Sequence, residues 1–264
     1  MAERLLVTGA NGCIGAWVVA ELTLAGAEVV ALDVSDELHR LALVLGPEGA
    51  AAVPPRPRRH RRSRHARADD RRARHVDEVP HPVAPAGHRL EHVHGPDHVD
   101  PRTERGIRPA EGDLERGQVD DLGDGRDRGV TSAPTAAMLA AAAGRPYHIP
   151  YGGRAQMQYT LDVAPAFIAA AGADATGASA HNLAGEVAGM DEIVAAIEAA
   201  APEADGLITH DDAPLAFPRQ VDAASFSATV GRVPETPLAE AIADTVARFR
   251  VLLAEGLVAM PVEA

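Results

Sequence analysis

The stretch "RLLVTGANGCIGAWVVAELTLAGAEVVALDVSD", Arg4 to Asp36, decides the fold. Leu5 to Thr8 is a short apolar run stopped by Gly9, the pattern of a buried parallel strand. Gly9, Gly12 and Gly15 then open a helix whose apolar face includes Ile14, Trp17, Val18 and Leu22, with Gly26 as its stop. Glu28 to Leu32 reads as a second strand ending on Asp33. Strand, glycine turn, helix, strand and acid follow in that order.

The order carries a chemistry. Glycines let backbone approach a pyrophosphate closely, and the helix N-terminus presents N–H groups to it. A carboxylate at the end of the second strand can accept both hydroxyls of an adenosine ribose and repels a 2′-phosphate. Asp33 therefore favours NAD over NADP.

The spacing Thr8 to Gly15, "TGANGCIG", resembles the extended short-chain dehydrogenase/reductase family, in particular its NAD-dependent epimerase/dehydratase branch. The resemblance implies a Rossmann-type, doubly wound parallel α/β sheet with a small C-terminal substrate-binding part. It also implies NAD held at Gly9, Asn11, Gly12, Cys13, Ile14, Gly15 and Asp33, and a sugar-type substrate over the nicotinamide.

Outward from this stretch, bulk properties narrow the field. A chain of 264 residues can bury a large core. Its net charge of −13 argues against a general nucleic-acid or membrane-surface binder. Cys13 is the single cysteine, which excludes an intramolecular disulfide and suits a reducing, cytoplasmic setting. No signal peptide is visible, and no apolar run approaches the length of a membrane span. There is no lysine, so all 25 Lys-plus-Arg residues are arginine.

The C-terminal part, from about residue 125, is orderly. "TSAPTAAMLAAAAG" has Thr131 or Ser132 placed to cap a helix, Pro134 in its first turn and Gly144 at its end. "YHIPYGG" reads as a strand and turn, and "AQMQYTLDVAPAFIAAA" as a strand followed by a helix beginning near Asp162. "AHNLAGE" reads as another strand, "MDEIVAAIEAAAPEA" as an amphipathic helix, and Leu238, Ile242, Val246 and Phe249 as the apolar face of a closing helix. This order is similar to the C-terminal half of the epimerase/dehydratase family. Nucleotide-sugar members carry a phosphate-holding arginine at a position that here is Ala155. Arg154 is its neighbour, and Arg219 is the other arginine in the tract before the ending.

Between these parts the character changes. Residues 51–130 hold 17 of the 25 arginines and 8 of the 12 histidines, with no Phe, Tyr or Trp. A strand buried on both faces reads as a continuous Val/Ile/Leu run, and none longer than two such residues occurs. Central strands are therefore expected to be missing or disordered. The expected division is 1–50 for the first part of the NAD-binding domain, 51–124 for the aberrant Arg/His/Pro-rich segment, and 125–264 for the remainder.

The resemblance also implies a catalytic tyrosine four residues before a lysine, whose ammonium lowers the phenol's pKa and holds the nicotinamide ribose. Without lysine that pair cannot exist. Tyr147, Tyr151 and Tyr159 all lie past the loop that should follow the motif, and Ser63, the candidate orienting serine, sits within the arginine run. No catalytic residue and no metal ligand is carried over. Homodimerisation, which intact relatives achieve through helices of this same region, is left open.

Three readings of the segment compete. Arg56 to Arg74 sets ten arginines against Asp69 and Asp70, as a nucleic-acid-binding arm would, but offers no aromatic for stacking. His88, His92, His94 and His98 have metal-like spacings but no framework to fix them. The third reading is a tract never selected to fold. An alanine-rich, lysine-free chain points to a high-GC gene, which out of frame encodes arginine, proline, histidine, alanine and glycine. A frame slip near codon 50, restored near codon 125, accounts for the composition, the missing strands and the missing catalytic pair together.

Overall fold

The computed structural model describes residues 4–33, 39–57, 104–107, 130–175 and 179–259. Its first layer is a four-stranded sheet. Strand β1 (Arg4–Thr8) lies between β2 (Glu28–Asp33) and β4 (Glu104–Ile107), with β3 (Pro55–Pro57) outside β2. The order β3-β2-β1-β4 is parallel throughout, with Leu6 opposite Val30 and Ala31 opposite Pro55. This is the arrangement of the first half of a doubly wound nucleotide-binding fold.

Helix α1 (Cys13–Leu24) crosses between β1 and β2. Ile14, Trp17, Val18 and Leu22 are buried as their spacing predicts, and Ala16, Val19 and Ala20 are buried too. The helix is covered on more than one side because it packs on α4 as well as on α2 and the sheet. An apolar residue at nearly every position is what such an enclosed helix requires. Helix α2 (His39–Ala52), for which the residue pattern offered no expectation, bends at Gly46. There φ is 75°, just ahead of Pro47, which has no N–H to donate.

Strands β3 and β4 fall in the tract where no apolar run predicts any. Both take edge positions among the described strands, where pairing is made by the backbone ladder. An edge also tolerates proline, since one side of the strand needs no donors; this fits Pro55 and Pro57.

The remaining elements join the same core, with α4 packed directly against α1. Helix α3 (Ala133–Ala142) has Pro134 in its first turn, and Ser132 stands at its N-cap without a side-chain capping bond. Strand β5 (Tyr147–Ile149) pairs in parallel with β8 (Ile208–His210), and β6 (Arg154–Met157) pairs antiparallel with β7 (Glu186–Gly189). The strand expected over "AHNLAGE" thus lies further along the chain. The pairing begins where its partner strand ends, with Glu186 opposite Met157, the last residue of β6. Helix α4 (Thr160–Gly172) carries Asp162 in its first turn. Helix α5 (Met190–Ala200) follows β7, the short α6 (Ala224–Val230) follows β8, and α7 (Leu238–Ala254) closes the chain. Leu238, Ile242, Val246 and Phe249 are all buried, packed with Met138 of α3 and Ile193 and Ile197 of α5. No helix among the described residues is long and apolar enough to cross a membrane.

Candidate functional site

The turn from Thr8 to Gly15 lies at the C-terminal ends of β1 and β2 and is stitched to them by its own backbone. The Gly9 and Ala10 N–H groups donate to the Leu32 carbonyl at 2.8 and 3.3 Å, and the Gly12 N–H donates to the Gly9 carbonyl at 2.9 Å. Gly9 has φ of 69°, a left-handed conformation that a β-carbon would oppose. A β-carbon on Gly15 would fall 1.9 Å from the Gly9 carbonyl oxygen, and one on Gly12 would fall 3.1 Å from it. The first turn of α1 therefore rests directly on the backbone of the preceding loop.

Asp33, the last residue of β2, reaches back to this turn and accepts the Asn11 N–H on Oδ2 at 2.8 Å. The bond joins residues 22 apart and fixes the carboxylate beside the opening of α1. Gly12 is the N-cap of α1, Cys13 its first residue, half-buried, and Ile14 is buried. All seven residues that the family resemblance implies, Asp33 included, thus lie together at this turn. Asn11 Oδ1, which is buried, has no hydrogen-bond partner among the described residues.

The donor set fits a dinucleotide. A helix N-terminus opening on glycine backbone can take a pyrophosphate, and one fixed carboxylate alongside can accept ribose hydroxyls.

Tyr147 lies on β5, Tyr151 in the turn after it and Tyr159 at the start of α4. Burial pushes the Tyr147 and Tyr151 hydroxyls above the ordinary phenol range, and Tyr147 adds further to the rise at Tyr151. A neighbouring ammonium would act in the opposite sense. Tyr159, the N-cap of α4, donates its hydroxyl to Asp244 on α7. Arg248 donates to the same carboxylate oxygen at 2.5 Å and lies 5.2 Å from the ring centre of Trp17 on α1. This chain from α4 through α7 to α1 has no signature in the sequence, because its members are scattered along it.

Arg154 is committed to its own neighbourhood. It donates to the Val187 carbonyl at 2.9 Å and pairs with Glu192 at 3.4 Å. Ala155 is half-buried on β6, and Arg219 is exposed. Asp162 accepts both the Thr236 N–H at 2.6 Å and its hydroxyl at 2.9 Å, tying α4 to the approach to α7. Ser63, the four histidines His88, His92, His94 and His98, and the arm from Arg56 to Arg74 beyond Pro57 lie outside the described residues. Among the described residues no group of three or more His, Cys, Asp or Glu side chains could hold a metal ion.

No family model matches the chain, and no curated protein matches it in sequence. Solved structures do match in shape. The L-threonine dehydrogenase of Clostridium difficile superposes with a TM-score of 0.61 at 13% identity, covering 98% of this chain and 99% of that one. The UDP-N-acetylglucosamine 4-epimerase of Bacillus cereus gives 0.56 at 13% identity over the whole of both chains. The UDP-glucose 4-epimerase of Thermus thermophilus, solved as a complex with NAD, gives 0.54 at 18% identity, covering 94% and 99%. The chain shares the α/β fold of these proteins.

Proposed function

We propose that this chain is an NAD-binding protein of the epimerase/dehydratase kind, with a retained cofactor site and without the acid/base pair that such oxidoreductases use. The observation that carries the reading is the close-packed turn. Gly15 rests against Gly9 with no room for a β-carbon, and Asn11 holds Asp33 beside the start of α1.

In this reading Gly9 and Gly12 let the backbone approach the pyrophosphate, and the amides of Cys13 and Ile14 face it at the head of α1. Asp33 holds the adenosine ribose by its hydroxyls and opposes a 2′-phosphate by its charge. When bound, NAD supplies a hydride acceptor at the nicotinamide. The protein's share of the reaction would be to move a proton at the substrate hydroxyl, and for this the chain has no lysine to lower a tyrosine's pKa. In this reading the substrate is a sugar or nucleotide-sugar, at the C-terminal strand ends. The commitment of Arg154 to Val187 and Glu192 leaves the phosphate-holding role without an evident occupant on β6.

Titrating the protein with NAD and with NADP tests this, read by the fluorescence of Trp17, its single tryptophan, and by thermal denaturation. Saturable stabilisation by NAD, weaker stabilisation by NADP and no nicotinamide reduction with UDP-sugars are expected. No stabilisation by NAD would remove the binding reading, and turnover at an ordinary enzymatic rate would remove the non-catalytic one.

A further inference from the structure

Strand β8 ends on His210, whose ring stands between two oxygens that can only accept. Nε2 is 2.9 Å from Asp191 Oδ1, at the second residue of α5, and Nδ1 is 2.8 Å from the Asp211 carbonyl oxygen. A neutral imidazole has one N–H and can satisfy only one of them, whereas an imidazolium satisfies both. The His210 side chain is 17% exposed, while its partner Asp191 is 94% exposed, so the ring is enclosed on the Asp211 side and meets water on the Asp191 side.

Three segments meet around this ring. The Asp211 N–H donates to the Ile149 carbonyl at 3.0 Å, the Gly152 N–H to Ala213 at 2.8 Å, and the Met190 N–H to Gly153 at 2.9 Å. Gly152 also bridges to Pro214, and a β-carbon on Gly152 would fall 2.0 Å from the Asp211 carbonyl oxygen. The turn after β5, the segment after β8 and the start of α5 are thus held together at close quarters.

We propose that His210 is a proton-operated latch: charged, it clamps the start of α5 to the segment leaving β8, and on losing its proton it releases one of the two bonds and loosens residues 211–214. The bond to the Asp211 carbonyl raises the pKa of His210 above the ordinary value. Partial burial opposes the rise, and Asp191 and Asp212 add to it. The clamp is therefore complete below about pH 6.5, the unfolded value, and is lost as pH rises through the higher folded value.

The other titratable group facing this cluster is His148 on β5. Its Nε2 is 3.1 Å from Asp211 Oδ1, and its Nδ1 is 2.9 Å from Thr209 Oγ1. Because a hydroxyl can donate or accept, a neutral His148 keeps both bonds, donating from Nε2 and accepting at Nδ1. His148 does not need the proton, and His210 does.

Hydrogen exchange of the full chain, corrected for intrinsic chemical exchange, tests the latch between about pH 5.5 and 8.5. Peptides covering 149–153 and 211–217 are expected to lose protection several-fold as pH rises in the unaltered protein. They should show a flat profile in His210→Gln and an unaltered pH response in His148→Gln. A flat profile in the unaltered protein, or a response that survives in His210→Gln, would overturn the proposal. Should His210→Gln not fold, NMR titration of the imidazole in the unaltered protein and in Asp191→Asn decides. A midpoint above that of a free histidine, moved down by Asp191→Asn, supports the latch, and a midpoint indifferent to Asp191 refutes it.

Discussion

Gly15 and Gly9 are packed so closely that a β-carbon on the first would lie 1.9 Å from the carbonyl oxygen of the second. The obstacle is backbone on both sides, so no rotamer change can relieve it. Gly15→Ala must push α1 away from the turn, at a cost of about 3 kcal/mol. For a chain of this size each kcal/mol lowers the melting temperature by about 2–4 °C. Thermal unfolding followed by circular dichroism should show the loss. Gly12→Ala, with its contact at 3.1 Å, should cost less.

Asp33 is separable from the turn it supports. In Asp33→Asn the amide oxygen can still accept the Asn11 N–H, so the fold is expected to survive. The charge that we propose holds ribose hydroxyls and repels a 2′-phosphate is gone. NAD affinity should fall by about tenfold, in keeping with about 1.5 kcal/mol for a charged hydrogen bond, while NADP affinity should fall less or rise. Calorimetric titration with both dinucleotides checks this, and an unchanged NAD-to-NADP ratio would remove Asp33 from the site.

The bond from Tyr159 to Asp244 couples α4 to α7. Burial alone would raise the Asp244 pKa, but the hydrogen bonds from Tyr159 and Arg248 outweigh it and the net shift is downward. Its contribution is therefore present above about pH 3.9, the unfolded value, and is lost as pH falls through the lower folded value. Tyr159→Phe should cost about 1 kcal/mol at neutral pH and flatten the acid limb of stability. Urea unfolding across the acid range measures both, and an unchanged acid limb would show that the pair is not coupled to folding.

The composition of residues 51–124 makes a prediction about the gene. Resequencing codons 45 to 130 and translating all three frames is expected to recover Val/Ile/Leu-rich strands and a Tyr-x-x-x-Lys motif in another frame. A gene in which no other frame makes sense would instead make the arginine-rich segment a genuine feature of this protein and favour a binding role for it.

Local chemistry was legible without a structure. The helical period of Leu238, Ile242, Val246 and Phe249 places four side chains on one face, and all four are buried. The glycine turn, α1 and the acid at the end of β2 were equally plain, because each follows from residues within one or two turns of each other. The strand after α4 was misplaced toward "AHNLAGE". Its start is set by its partner strand, whose last residue Met157 pairs with Glu186 from a segment well apart in the chain. Strands β3 and β4 carried no apolar signal at all, since pairing at a sheet edge is a property of the backbone.

The sequence by itself thus determined the dinucleotide-type opening, the absence of the Tyr/Lys pair and the amphipathic helices of the C-terminal part. Periodicity, turn chemistry and residue identity are short-range facts. Only the tertiary structure decided which groups meet: Asn11 with Asp33, Tyr159 with Asp244, His210 with Asp191. Those partners are chosen by how helices and strands pack, and packing brings together residues 22, 85 and 19 positions apart that no local pattern links.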